Sequence, residues 1–264
     1  MDKELLLNHY ITLGLPVPFK DWEIFPIKVK DNYKWSDSVD ILTIEKNTIN
    51  DVKIIQMSYL DFIIMLGVND DSYLTKLKNI LELCLGVKDC AIDLKIDNNT
   101  VIGLIITPYI INKDGEEEKD YFQSKEITAE DFDEIKRIIL FQNIYDYSDE
   151  YIDPDVKKAI DEYYSVSNRN TPQVSMEDKI ITVLSSTAIT KQELLEMPLR
   201  HFYLLFNTVV DKVDYTIMQL ADCFPDVKFK KPIEHWVYKQ KHDKYKEAFV
   251  DYDAMASKIN GTNF

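Results

Sequence analysis

The feature that most constrains this chain is a change of apolar period near residue 90. Before it, apolar residues recur at helical spacing, as in Val39 and Leu42 and then Ile55, Tyr59, Phe62, Ile63 and Leu66. After it, Ala91-Ile92-Asp93-Leu94-Lys95-Ile96 alternates, Asp97 to Thr100 has turn chemistry, and Val101 to Thr107 is a β-rich run. A two-period chain needs both a helical layer and a sheet for its apolar faces to cover each other.

The helical layer is predicted over about 33–45 and 51–66, with Gly67 closing the second helix. Asp71 or Ser72 caps a further helix over 73–85, which Gly86 stops. Upstream, Leu15-Pro16-Val17-Pro18 and Trp22 to Val29 carry too much proline for a helix and suit short edge strands. The 91–96 and 101–107 runs form a hairpin. The Asn112 to Gly115 turn then returns the chain through Tyr121-Phe122-Gln123 as a third antiparallel strand. Thr128 starts a helix with Phe132, Ile135, Ile138, Ile139 and Ile144 along one side, and Pro154 opens another that runs to Tyr164.

Residues 165–175, SVSNRNTPQVS, lack apolar periodicity and make the best linker. Beyond them the pattern is helical throughout. Ser175 caps a helix over 176–186, Thr190 and Glu193 form a capping box, an apolar helix runs from Leu199 to about Cys223, and a basic helix spans about 238–257. The expected fold is therefore α+β and predominantly helical. A mixed domain over 1–165 contains a small antiparallel β-meander packed on helices, 166–175 is the linker, and 176–264 is an all-α domain.

Composition narrows the function. At 264 residues with 45% hydrophobic and 29% charged content, the chain is globular. Its net charge of −15 opposes attraction to nucleic acid or an anionic membrane, so neither is an expected partner. The charge is also segregated. Asp114 to Glu162 holds seventeen acidic against six basic residues, a local −11, whereas Lys228 to Lys246 holds seven lysines against Glu234 and Asp243, a local +5. Two readings stand side by side: solvated faces, or an acid and base contact between neighbouring domains or subunits.

Sites with familiar chemistry are poorly supported. The six glycines have no Walker or Rossmann spacing, so no nucleotide cofactor is expected. Cys84, Cys90 and Cys223 form no metal-type pair and fit a reducing compartment. His235 and His242 are seven apart without a third ligand, and the acidic run from Asp146 to Asp155 lacks EF-hand order, so no metal is expected. His9 and His201 have no nucleophile-base setting, and His201, among Leu199, Phe202 and Leu205, reads as half-buried and hydrogen-bonded.

One enzyme alternative remains, a metal-dependent nuclease. Asp93 and Lys95 share a face of a strand, with Asp89 or Asp71 as a further ligand. The plainer reading makes Asp93 and Lys95 a solvent-facing cross-strand pair. A third reading, an acidic DNA mimic, needs rows of carboxylates on one face of the 114–162 region.

The C-terminal quarter carries the most distinctive pattern. Thr190, Glu193, Leu194, Met197, Pro198 and Phe202 make a T-x-x-E-L-x-x-M-P-x-x-x-F arrangement, followed by a long helix and then FKKPIEHW at 229–236. Together with Ile127 to Arg137 and Leu15 to Pro18, it resembles tail-module proteins of phages infecting low-GC Gram-positive bacteria. The resemblance implies a non-enzymatic tail or baseplate assembly chaperone or minor structural protein. Its partners would be other phage tail or baseplate proteins, or copies of itself, in the host cytoplasm or in the virion. The residues placed to meet a partner are Lys230, Lys231, His235, Trp236, Tyr238, Lys239, Lys241 and Tyr245, where aromatics anchor and lysines steer. Alternatively, Trp236 packs the terminal helix onto its own domain.

Overall fold

A computed structural model describes residues 3–46, 49, 51–87, 89–98, 100–111, 117–148, 154–167, 174–229 and 232–238. The fold is α+β and helix-rich, and from Pro154 onward the named elements are all helices. The chain forms two compact units, Met1–Asp149 with Thr187–Leu205, and Glu150–Ser186 with Phe206–Phe264. Residues 187–205 lie beyond the linker expected at 166–175, yet they belong with the N-terminal unit.

The first unit opens with helix α1 (Lys3–Leu13) and a tight hairpin of β1 (Val17–Phe19) and β2 (Trp22–Ile24). The edge strands agree with the proline-rich reading, whereas α1 was not expected from the sequence. Helix α2 (Asn32–Ser38) runs into a 3-10 turn at Val39–Leu42. Then come α3 (Val52–Gln56), α4 (Tyr59–Asn69) and α5 (Ser72–Leu85).

The helix expected over 51–66 is thus two helices. Ser58 breaks it and starts α4, its side chain accepting from the Asp61 N–H at 3.1 Å. Gly67 does not close α4 but lies buried inside it. A Cβ there would sit 2.6 Å from Leu74, so the glycine makes room for packing against α5. Gly86, with φ 66°, does end α5 as expected.

The sheet consists of β3 (Cys90–Asp97), β4 (Thr100–Ile111), β5 (Glu117–Lys119) and β6 (Lys125–Thr128). All pairings are antiparallel. β4 lies between β3 on one side and both β5 and β6 on the other, in register Asp93↔Ile105↔Glu126 and Leu94↔Leu104↔Ile127. The expected meander is present, but the return strand comes in two pieces. Tyr121–Gln123, read as strand, is a 3-10 turn, and Asp120 caps it by accepting from the Phe122 N–H. At Gly103 a side chain would meet the Ile127 carbonyl at 2.8 Å, so this glycine permits β6 to pair closely.

Helix α6 (Ala129–Asn143) follows β6 directly, with Thr128 accepting from the Asp131 N–H at 3.1 Å. Its Phe132, Ile135, Ile138 and Ile139 are buried, as are Leu104, Ile106 and Ile127 of the sheet and Leu60, Phe62 and Ile63 of α4. Each such side chain contributes roughly 1.5–3 kcal/mol relative to exposure. The last expected member of the α6 stripe, Ile144, caps the helix C-terminus and is only half-buried.

The remaining helices are α7 (Pro154–Ser167), α8 (Met176–Ser186), α9 (Lys191–Glu196) and α10 (Leu199–Asp222). Ser175 caps α8 as expected, its Oγ accepting from the Asp178 N–H at 3.1 Å. The basic helix expected over 238–257 lies outside the described residues apart from Tyr238, which sits in a turn.

Candidate functional site

The segment from Thr190 to Phe202 is a clasp on the N-terminal unit. Its capping box forms as expected. Thr190 Oγ1 accepts from the Glu193 N–H at 3.3 Å, and Glu193 accepts from the Thr190 N–H at 2.8 Å. Met197 leaves the helix in extended conformation ahead of Pro198, which exposes its carbonyl to the Val29 N–H at 3.0 Å. The Leu199 N–H then donates to Ile27 O at 2.7 Å, which completes a small antiparallel bridge between Lys28 and Pro198. Leu194, Leu199 and Phe202 are fully buried behind it.

Polar groups fix the same junction. Glu196 receives both Lys28 at 2.7 Å and Lys30 at 2.5 Å, and these hydrogen bonds hold its carboxyl down to about 2. The side chains are about half exposed, so the pairs align the clasp more than they stabilise it. Arg200 Nη1 donates to Phe141 O and Ile144 O at 3.0 and 2.7 Å, satisfying carbonyls at the end of α6. His201 is half-buried with Nε2 3.3 Å from Ile11 O, in agreement with its expected structural role.

Two buried amides secure the neighbouring backbone. Asn143 Oδ1 accepts from the Ile27 N–H at 2.7 Å, and Gln142 Nε2 donates to Leu15 O and Ile24 O at 3.1 and 3.2 Å. Neither amide was singled out in the sequence. Their partners are backbone groups more than a hundred residues away, and no local pattern marks such a bond.

Of the expected partner-contact residues, His235, Trp236 and Tyr238 are described. Lys230, Lys231, Lys239, Lys241 and Tyr245 lie outside the described residues. The chain turns back after α10 so that the His235 ring packs against Tyr215, centroids 4.8 Å apart. Trp236 and Tyr238 lie 5.5 and 5.9 Å from His235, and the Tyr238 N–H donates to His235 O at 2.8 Å. Trp236 is half-buried, while Val237 and Tyr238 are exposed. The result is a compact aromatic cluster on one side of α10 with apolar surface turned to solvent.

Asp93 and Lys95 do not pair with each other. Asp93 receives Lys119 of β5 at 2.8 Å, and Lys95 reaches past Gly103 to Glu126 of β6 at 2.8 Å. Both are solvent-facing cross-strand pairs, and their charges are compensated by neighbours across β4. Among the described residues no group of three or more His, Cys, Asp or Glu is placed to hold a metal ion. The acidic middle region is likewise interleaved with bases, as Asp131 meets Lys20 and Glu134 meets Arg137.

Two other places have distinctive chemistry. Lys136 Nζ lies 3.4 Å from the centre of the Tyr59 ring, and burial lowers its pKa to about 8. Asp133, one turn earlier, opposes that shift, and Lys46 adds to it. The Tyr59 hydroxyl is committed to Ile41 O and Ile44 O, and its pKa is raised by burial. Separately, Trp22, Phe25, Leu85, Val87, Ile106 and Pro108 line a shallow cleft of about 490 Å³, with Cys90 and Lys125 at its edge. Burial and the charges of Asp89 and Glu82 push the Cys90 thiol up, so it stays protonated and weakly nucleophilic.

No protein family, curated protein or solved structure matches the chain. Among the described residues no helix is long and apolar enough to cross a membrane.

Proposed function

We propose that the protein is a non-enzymatic phage structural or tail and baseplate assembly protein that acts through protein-protein contacts. The supporting observation is the aromatic cluster of Tyr215, His235, Trp236 and Tyr238, which leaves Val237 and Tyr238 exposed beside a lysine-rich stretch of sequence. Aromatic side chains that are partly fixed by their neighbours lose little entropy on binding, and adjacent lysines speed encounter with an acidic face. In this reading the basic tail meets one partner, and the acidic 114–162 region meets another or meets the tail itself.

The test is co-purification with tail or baseplate proteins from the same phage. Trp236→Ala with Tyr238→Ala is expected to reduce the complex at all salt concentrations. Lys230, Lys231 and Lys239 changed to Glu should reduce it most at low salt. Complex formation unchanged in both variants would sink the proposal.

A further inference from the structure

Where Lys136 of α6 passes Tyr59 of α4, an amine stands without an acid. Its Nζ lies 3.4 Å from the centre of the Tyr59 ring, and among the described residues no carboxylate or carbonyl accepts from it. Lys20, Lys34, Lys76 and Lys119 of the same unit each meet a carboxylate instead. Asp133, one turn before Lys136, is exposed and forms no ion pair with it. Lys46 brings a second cation to the same place, anchored by donating to Ile55 O at 3.2 Å and Met57 O at 2.5 Å.

The amine nevertheless reaches solvent. Among the described residues Gln142 Oε1 is the one fully buried side-chain nitrogen or oxygen without a hydrogen-bond partner. Lys136 Nζ lacks a partner too, so it is only partly enclosed.

A half-buried amine beside another cation is an activated nucleophile. Burial disfavours its protonated form, Asp133 opposes that and Lys46 adds to it, which brings the amine to about 8. At pH 7 it then holds about 300 times more free base than an ordinary lysine, and its lower basicity takes back part of that, leaving it about tenfold more reactive.

We propose that Lys136 is a site of covalent acylation by small acyl phosphates. The Nζ lone pair attacks the carbonyl carbon and a C–N bond forms. The C–O bond to phosphate breaks, the phosphate leaves with the electron pair, and the nitrogen gives a proton to water. Lys46 favours an anionic donor over a neutral one, because its charge and its third N–H face no acid and can meet the leaving phosphate. The product is a neutral amide, which removes one of the two cations beside Tyr59. The acylation needs no partner protein and does not rest on the phage reading.

The test is treatment of the purified full chain with acetyl phosphate over a pH series, with acetylation at each lysine followed by peptide mass spectrometry. At pH 7 Lys136 should react about ten times faster than the median exposed lysine, and its rate should level off above pH 8 while theirs keeps rising. Asp133→Asn, a change at an exposed position, should speed Lys136 about two- to fourfold at pH 7. Lys46→Gln keeps an amide donor for the Ile55 and Met57 carbonyls, and it should slow Lys136 at least about threefold with acetyl phosphate. With N-acetylimidazole, a neutral donor, the slowing should be smaller. In urea-unfolded chain the preference for Lys136 should vanish. A rate at Lys136 no higher than the median, a rate that keeps rising with pH as the others do, or the same preference in urea would overturn the proposal. An equal effect of Lys46→Gln on both donors would overturn the choice of an anionic one.

Discussion

The two halves of α10 each carry an apolar row, and the rows have opposite fates, although the second half also holds Asp211, Lys212, Asp214 and Asp222 where the first holds only Arg200 as a charged residue. Leu199 and Phe202 are 1% and 0% exposed, whereas Ile217 and Leu220, equally apolar and at comparable spacing, are mostly in solvent. The difference lies outside the helix. The first half has Ile27 and Ile11 within hydrogen-bonding reach of its backbone and side chains, so the N-terminal unit covers it. Apolar periodicity therefore specifies a helix and one of its faces, but not whether the covering surface belongs to the same chain.

The sharpest way to break this contrast is to truncate one residue from each half. Phe202→Ala should cost about 3–5 kcal/mol of stability in urea denaturation, because a cavity remains in a fully enclosed site. Ile217→Ala in dilute protein should cost under about 1 kcal/mol, the helix propensity of alanine offsetting part of any loss. Equal costs would mean that α10 is covered along its whole length.

Next in size is the amide that holds the surface covering the first half. Asn143→Ala leaves the buried Ile27 N–H without its acceptor and should destabilise by about 1–3 kcal/mol. A smaller value would indicate that water replaces the side chain.

A change of pH should reach the N-terminal unit and spare the exposed helix. Lys136 has a folded pKa of about 8, below its ordinary value of 10.5, so the unfolded chain binds more protons between those values. Its contribution to stability is present above pH 10.5 and is lost as pH falls through 8. Tyr59, with its pKa raised, works in the opposite sense above pH 10. Cys84, whose buried thiol is raised from its ordinary value of 9.0, opposes Lys136 over the same range, so the Lys136 effect is read as a difference: from pH 8 to 10 the wild type should gain about 1–2 kcal/mol of unfolding free energy relative to Lys136→Met. Parallel profiles of the wild type and Lys136→Met over that range would contradict the burial of the amine.

The smallest expected effect is that of the local cap. Thr190→Ala should cost about 1 kcal/mol, read as a shift of the denaturation midpoint, since it removes one acceptor at the start of α9. A cost as large as that of Phe202→Ala would show that the cap, rather than the buried side chains behind it, holds the clasp.

What could be read in the sequence follows the range of the interactions. Thr128, Ser175, Thr190 and Gly86 act within a few residues, and their caps were legible. The split of the return strand around Tyr121–Gln123 was not, because the aromatic pair that signals a strand, Tyr121 and Phe122, sits in the turn, while β5 is Glu-Glu-Lys and pairs with β4 without any β-branched or aromatic residue. Gln142, Asn143 and Arg200 were missed for a different reason. Each is an ordinary polar helical residue until a distant backbone segment arrives beside it. The candidate contact residues were legible as a cluster of types, and the structure adds that His235 joins Trp236 and Tyr238 to Tyr215.

The clasp also imposes an order on synthesis. Val29 and Leu199 complete the hydrogen bonds of a bridge whose two sides are made far apart in time. While the ribosome is still producing α7 and α8, the N-terminal unit already has its sheet and α6 but lacks the surface that buries Ile27 and Val29. Its closing step must wait for the start of α10 to emerge. The nascent chain thus carries an unfinished apolar edge through the making of two further helices.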